Sequence, residues 1–214
     1  MKDVLEELAA MAREVARRGA GDDELIAVTL RREYPAEVTD VWGAVTDPQR
    51  LARWFAPVSG DLQEGGTFAV AGNAEGEIRE CVPPKALTVT WGGPVSIVSV
   101  RMTATDAGTV LELEHTVPAA FAGSGAGALY VGPGWDVALL GLALWLLGEP
   151  VEDPAAWEAS PEVREVNAGS IEAWIATVTA SGTATPDEIA AATAAARAQF
   201  TPDETRTDGD PTAD

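Results

Sequence analysis

Three polar residues occupy positions where the surrounding strand-like sequence predicts burial. Arg32 lies in "LIAVTLRREY", Glu80 in "GEIRECV" and His115 in "LELEHTV". Alternate side chains of a strand point to the same face, and each of these residues shares that parity with apolar neighbours. An isolated charge in an apolar interior costs several kcal/mol unless it is paired. The pattern therefore predicts mutual pairing, a wet cavity or a bound ligand.

These residues allow two functional interpretations and one structural interpretation. In the first, Arg32 binds a carboxylate or enol oxygen, while Glu80 and His115 orient the polar end of a ligand. In the second, Glu80 and His115 transfer protons in an enzymatic reaction. In the structural interpretation, the three side chains lie at strand ends near solvent, or a β-bulge reverses the parity of a strand.

Large apolar side chains in the segments around these strands form a second group of candidates. They are Trp42, Trp54, Phe55, Phe68, Trp91, Trp135 and Leu139. A buried aromatic side chain removes about 150–250 Å² from water, so packing of the core alone would account for the rings. The functional alternative is that they line a ligand cavity between a sheet and a helix.

Other kinds of chemistry lack a sequence signal. One histidine and one cysteine give no zinc motif, and we expect neither a metal nor a cofactor. The glycine-rich residues 123–128, "GSGAGA", have no strand-to-helix setting for a dinucleotide and no phosphate-binding lysine. They predict a mobile lid or a plain connector. Cys81 has the opposite parity to Glu80 and is interpreted as a packing residue rather than a nucleophile.

The composition is typical of a globular protein with a strongly negative charge. The 214 residues are 46% hydrophobic and carry a formal net charge of −20. That charge repels phosphate backbones and anionic lipid surfaces, so neither nucleic acid nor a membrane is an expected partner. The apolar residues 137–147 are too few to cross a bilayer, which needs about 20. They predict a buried helix, and the absence of a signal-peptide pattern predicts a cytoplasmic protein.

The order of predicted elements indicates an α+β fold. A strand over residues 25–34 is followed by two short helices, the first after Pro35 and the second beginning at Asp47 and Pro48. Five further strands, separated by turn residues, then predict an antiparallel meander of about six strands in all. A long apolar helix begins near Trp135. A sheet covered by one long helix encloses a space in which a ligand can bind.

The two ends of the chain are predicted to be appendages of one central domain. Residues 1–23 have the periodicity of an amphipathic helix, and residues 24–182 form the domain with a helical extension from about residue 149. The sequence of residues 183–200 predicts an additional helix. Thr185 and Glu188 have the spacing of a capping box, which would mark the start of that helix. The acidic residues 201–214 predict a disordered tail.

Several of these segments together resemble a known family. "YPAEVTDVWGAVTDPQRLARWF", "GGTF", "GEIRECVPPKALTVTW", "LELEHT" and "GWDVALL" are similar, in order and spacing, to the activator-of-heat-shock-ATPase homologues of the SRPBCC (START-like, helix-grip) superfamily. The resemblance covers about residues 26–148, and the acidic extension is similar to that of actinobacterial members. It implies a helix-grip fold, in which a curved antiparallel sheet wraps around a long C-terminal helix.

The resemblance implies non-catalytic binding of a small, apolar or amphipathic molecule between the sheet and the long helix. A co-chaperone role on a heat-shock chaperone ATPase is the alternative, although the chain has only one predicted helix where such co-chaperones carry a separate N-terminal domain. A second alternative is a cyclase-like or dehydratase-like enzyme that uses Glu80 and His115. The acidic extension would cap the cavity, form a homodimer contact or increase solubility.

Overall fold

The computed structural model describes residues 8–149 and 151–202. Within them, one antiparallel sheet has the strand order β1-β2-β8-β7-β6-β5-β4-β3. The strands are β1 (Ala12–Arg18), β2 (Leu25–Tyr34), β3 (Val58–Gly60), β4 (Thr67–Val70), β5 (Glu75–Val82), β6 (Ala86–Thr90), β7 (Ile97–Thr105) and β8 (Gly108–Pro118). Strands β2 to β8 are joined mostly by short turns, as the meander pattern predicts, whereas two helices separate β2 from β3.

Seven α-helices follow β2 in the described residues, and residues 8 and 9 before β1 are helical as well. They are α1 (Val38–Thr46), α2 (Pro48–Trp54), α3 (Ala119–Ala122), α4 (Ala128–Leu146), α5 (Pro154–Glu158), α6 (Pro161–Ser181) and α7 (Pro186–Phe200). Four of them begin with a capping side chain followed by proline. The oxygen of the capping side chain accepts hydrogen bonds from backbone N–H groups that the first turn leaves unpaired, and proline at the first helical position has no N–H group to satisfy. The capping residues are Asp47, Asp153, Ser160 and Thr185.

The long helix α4 lies against the buried face of the sheet. That face carries the alternating apolar side chains of β2 and β8, including Leu30 and Leu111. The hydroxyl of Tyr34 donates a hydrogen bond of 3.1 Å to the backbone oxygen of Leu139, which joins β2 to the middle of α4. The apolar run that predicts a buried helix thus becomes the central helix of the core.

Helices α6 and α7 cover the side of α4 that the sheet leaves open. The indole of Trp174 on α6 is completely buried, together with Ile171 and Val178 on the same helix. Gly182 ends α6 in a left-handed conformation, with φ of 65°, which a residue without a Cβ adopts readily. The acidic extension is therefore packed onto the domain over most of its described length.

The predicted helix-grip fold is confirmed, although the sheet has eight strands instead of about six. One missed strand, β3, is only three residues long and gives no periodic signal. The other, β1, lies where the sequence predicts a helix, and the helical prediction is wrong for residues 12–18. Residues 1–7 and 203–214, which include most of the predicted tail, are outside the described residues.

Tertiary pairing explains why β1 is a strand. It binds antiparallel to the edge of β2, with Val15 opposite Val28, and so satisfies the backbone groups of both segments. The spacing of apolar residues around Met11 and Val15 also fits a helix, and local propensity is a weak prior when an open sheet edge is available.

Candidate functional site

A cleft of about 360 Å³ lies between the sheet, α4 and the C-terminal extension. We call it the aromatic cleft, because seven aromatic side chains are among its lining residues. Those seven are Trp54, Phe55, Trp91, Tyr130, Trp135, Trp157 and Phe200. Polar side chains also reach the lining, from Asn73, His115, Glu158 and Gln199. The cleft therefore has the composition of a small-molecule site, with apolar walls and a few polar groups.

A row of rings passes along the wall of the aromatic cleft. The ring centroids of Trp91 and Trp135 are 5.1 Å apart, and those of Phe68 and Trp91 are 5.8 Å apart. His115 meets Trp135 edge-on, with 6.0 Å between the centroids. Tilted and edge-on pairs at these distances are favourable contacts between aromatic rings. Each ring thus restricts the orientation of the next.

His115 lies on β8 at the polar end of this row and is held by two hydrogen bonds. The indole N–H of Trp135 donates to His115 Nδ1 at 3.2 Å, and His115 Nε2 lies 2.7 Å from Ser96 Oγ. Because an indole can only donate, Nδ1 carries no proton and Nε2–H donates to the serine oxygen. Burial lowers the pKa of His115 to about 4, so the ring is neutral at neutral pH.

Local structure on three elements brings these partners together. The backbone N–H of Trp91 donates to the oxygen of Ser96 at 2.9 Å, which closes the turn between β6 and β7. His115 lies opposite Val98 in the β7–β8 pair, two positions after Ser96. Helix α4 then supplies Trp135 from the other side.

A second, smaller cavity of about 140 Å³ lies beyond the wall of the aromatic cleft. We call it the inner cavity. Phe55 and Trp91 line both spaces, and Phe68, Ile78 and Cys81 line the inner cavity alone. Cys81 is half-buried there beside apolar side chains, a position that suits a packing residue.

Five of the predicted site residues come together on the lining of the aromatic cleft: Trp54, Phe55, Trp91, His115 and Trp135. The other five do not. Phe68 faces the inner cavity, Trp42 is partly buried and packed against the core, and Leu139 is buried within α4. Arg32 and Glu80 lie elsewhere on the sheet.

The prediction that Glu80 faces inward is wrong. The register between β5 and β6 shifts between Ile78 and Glu80, which is the bulge that can reverse the parity. Glu80 is consequently exposed and accepts a hydrogen bond of 3.1 Å from Thr88 Oγ1. Cys81 instead shares the inner side with Ile78.

Arg32 does face inward, but at a distance from His115. It is 5% exposed, and its guanidinium carbon lies 5.3 Å from the centroid of the Tyr34 ring. His115 is paired with Val28, four residues away from Arg32 along β2, which corresponds to about 13 Å. The predicted grouping of Arg32, Glu80 and His115 is therefore not assembled.

Sequence reasoning missed the part of the lining that the extension supplies. Trp157 and Glu158 come from the short helix α5, and Gln199 and Phe200 from the end of α7. The helical extension predicted from about residue 149 includes Trp157, but nothing in the local sequence indicates that this segment folds back over α4. Tyr130 lies before the predicted start of the long helix near Trp135, whereas α4 begins at Ala128, and its sequence position also gives no signal that it faces the cleft.

A buried polar cluster next to the aromatic cleft is a further feature that the sequence does not predict. Asp136, directly after Trp135, is fully buried and accepts hydrogen bonds from Arg13, Ser170 and Trp174. Burial raises the pKa of Asp136, and the Arg13 charge and these three donors act against that rise. The cluster joins β1, α4 and α6.

Two further findings concern metals and membranes. In residues 8–149 and 151–202, no group of three or more histidine, cysteine or acidic side chains could hold a metal ion. Over the same residues, a single helical segment, Gly125–Leu146, is long and apolar enough to cross a bilayer. In its most apolar window, 61% of the residues are buried inside the fold, as expected of the core helix of a domain.

Comparison with known proteins supports the assignment that the fold and the cleft suggest. The profile of the family described as Activator of Hsp90 ATPase homolog 1-like protein matches residues 35–146. The crystal structure of CalU16 from Micromonospora echinospora is 39% identical, covers 79% of this chain and 98% of its own, and superposes with a TM-score of 0.65. No protein of curated function shows significant similarity to this chain.

Two more distant structures share the fold. DynU16, a protein of the dynemicin biosynthetic locus, is 26% identical over 63% of this chain and 51% of its own, with a TM-score of 0.54. EF2215 from Enterococcus faecalis is 17% identical over 76% of this chain and 91% of its own, with a TM-score of 0.53, and shows likeness of fold alone. The extent of the profile match and the near-complete coverage of CalU16 decide the assignment. This chain belongs to the family of Activator of Hsp90 ATPase homolog 1-like proteins.

Proposed function

We propose that this protein binds a small, largely aromatic or apolar molecule in the aromatic cleft and does not transform it. The observation that carries the proposal is the ring-lined cleft, whose volume of about 360 Å³ lies within the usual range for ligand sites. The rings of Trp91 and Trp135 line the cleft and provide aromatic surface against which a planar molecule can pack. Membership of the family agrees with a ligand-binding fold.

The two residues expected to transfer protons, His115 and Glu80, lack the geometry of a general base. A general base needs a free lone pair within reach of the substrate. His115 has none, because Nδ1 accepts from Trp135 and Nε2 carries the proton that it gives to Ser96. Glu80, the other residue expected to transfer protons, is exposed and is not on the lining.

The test is a titration with Nile red, a neutral aromatic dye whose fluorescence increases in apolar surroundings. We expect the parent protein to bind one equivalent and Ala138→Phe to bind at least tenfold more weakly, because Ala138 lines the cleft and a benzyl group would fill it. Ala195→Phe, at an exposed position of α7 outside the cleft, is the matched control. Equal binding by all three proteins, with all three folded, would refute the proposal.

A co-chaperone role is the second candidate, because the family takes its name from an activator of the Hsp90 ATPase. The net charge of −20 would suit a basic docking face on a chaperone. The measurement is the ATPase rate of a purified heat-shock chaperone with and without this protein. Stimulation that survives in Ala138→Phe would assign the activity to the surface, whereas no stimulation at saturating protein would exclude this role for the chaperone used.

A further inference from the structure

We propose that the ligand of the aromatic cleft carries a positively charged amino group attached to its aromatic body. This inference rests on the proposed function and adds the chemical class of the ligand. It is drawn from the charges that line the cleft, from the aromatic faces beside them and from the charge of the whole chain.

The lining of the aromatic cleft offers an anion no positively charged partner. Its described residues include no lysine and no arginine, and its one carboxylate is that of Glu158. The remaining nitrogen base, His115, is neutral at neutral pH. Sites that bind carboxylates or phosphates ordinarily supply arginine or lysine, so an acidic ligand would lose its hydration here without a charged group to offset the loss. The chain's charge of −20 also repels anions as they approach.

The same lining suits an ammonium group. Glu158 directly follows Trp157 on α5, so a carboxylate and an indole reach the cleft from one turn of helix. An ammonium group donates up to three hydrogen bonds, and the side chains of Asn73 and Gln199 provide further acceptor oxygens. Cations are also attracted to the faces of tryptophan rings. The aromatic body of the ligand would pack against the inclined rings of Trp91 and Trp135 while its amino group lies near Glu158.

The charge of Glu158 differs in its placement from the other acidic groups of the chain. Many of those groups are on the outer surface, such as Glu112 on the opposite face of β8 from His115. The side chain of Glu158 is exposed at the cleft, so water screens its attraction for a cationic ligand. The expected gain in ligand affinity is therefore modest. A difference of about three- to tenfold in affinity between charged and neutral ligands is in keeping with such a site.

The experiment measures displacement of Nile red by three competitors that share one ring system. Naphthylmethylamine is a cation at neutral pH, naphthylmethanol is neutral and naphthylacetate is an anion. We expect the amine to displace the dye at about three- to tenfold lower concentration than the alcohol, and the acid to be the weakest competitor. Equal potency of the amine and the alcohol, or stronger displacement by the acid, would overturn the inference.

Two charge variants locate the effect. Glu158→Gln should remove most of the advantage of the amine over the alcohol. Glu112→Gln makes the same charge change away from the cleft and should preserve that advantage. If both variants behave like the parent, Glu158 is not the partner and the inference fails. If Nile red does not bind in the cleft at all, the proposed function fails first, so the two failures are distinguishable.

Discussion

Arg13 on β1 and Asp136 on α4 form a buried ion pair between positions 123 residues apart in the sequence. Arg13 Nε lies 3.1 and 3.0 Å from the two carboxylate oxygens, and the side chains are 8% and 0% exposed. Ser170 Oγ and Trp174 Nε1 donate to the same carboxylate at 2.5 and 3.0 Å. The pair therefore connects the first strand of the sheet to the central helix and to α6.

Asp136→Asn should strongly destabilise the fold. The substitution leaves the Arg13 guanidinium buried beside a neutral group, and breaking one partner of a buried pair costs about 3–5 kcal/mol. Urea unfolding of the variant and of the parent measures the difference. The control is Glu172→Gln, which removes an exposed pair with Arg197 and should change stability little. Similar losses of stability in both variants would show that the buried Arg13–Asp136 pair stabilises the fold no more than the exposed pair.

Two glycines of α4 should respond oppositely to alanine. A Cβ at Gly132 would lie 2.4 Å from the ring of Trp174, which is completely buried and donates to Asp136, so the ring cannot move aside cheaply. A Cβ at Gly134 would meet only Phe200, at 3.8 Å.

We therefore expect Gly132→Ala to lose about 1–3 kcal/mol through overpacking. Gly134→Ala should gain up to about 1 kcal/mol from the better helix propensity of alanine. Thermal unfolding of the two variants measures both effects. If both substitutions raise the melting temperature, or both lower it, the predicted opposite effects on stability are wrong.

The sequence predicts the fold class better than it predicts the site, for physical reasons. Period-two alternation and the apolar run of α4 are local signals, and burial of those faces against each other determines a helix-grip arrangement. The direction of Glu80 depends on one bulge, and the strand β1 depends on an edge of β2 that only the folded sheet provides. Trp157 reaches the cleft through packing between distant segments, which local periodicity does not encode.

His115 should remain neutral down to unusually low pH. Burial lowers its pKa from the ordinary 6.5 to about 4, and as the chain's only histidine it gives an unambiguous nuclear magnetic resonance signal. We expect nitrogen shifts typical of the Nε2–H tautomer at neutral pH and a midpoint near 4. A midpoint near the ordinary value would show that the ring is solvated.

The same shift predicts how stability depends on pH. Between pH 6.5 and 4 the unfolded chain binds a proton at this position that the folded chain does not, so folding loses stability as the pH falls through that window. Over this window, protonation of His115 in the unfolded chain lowers the free energy of unfolding by about 3 kcal/mol in total. His115→Gln should show a correspondingly shallower loss of stability from neutral pH to pH 4.5 in urea unfolding. Parallel curves for the two proteins would mean that other groups cause the whole effect.

Trp157→Ala should weaken ligand binding more than it weakens the fold. A Cβ at Gly141 would lie 3.6 Å from the Trp157 ring. The Trp157 ring therefore lies over α4, close to Trp54, and closes one side of the aromatic cleft. Loss of one stacking face costs about 1–2 kcal/mol of binding, or about five- to thirtyfold in Nile red affinity.

Ile189→Ala is the matched control for the extension, because Ile189 on α7 packs against the core and does not line the aromatic cleft. It should lower stability and leave Nile red affinity unchanged. The opposite outcome, in which Trp157→Ala binds the dye normally, would show that the Trp157 ring does not contact the bound molecule.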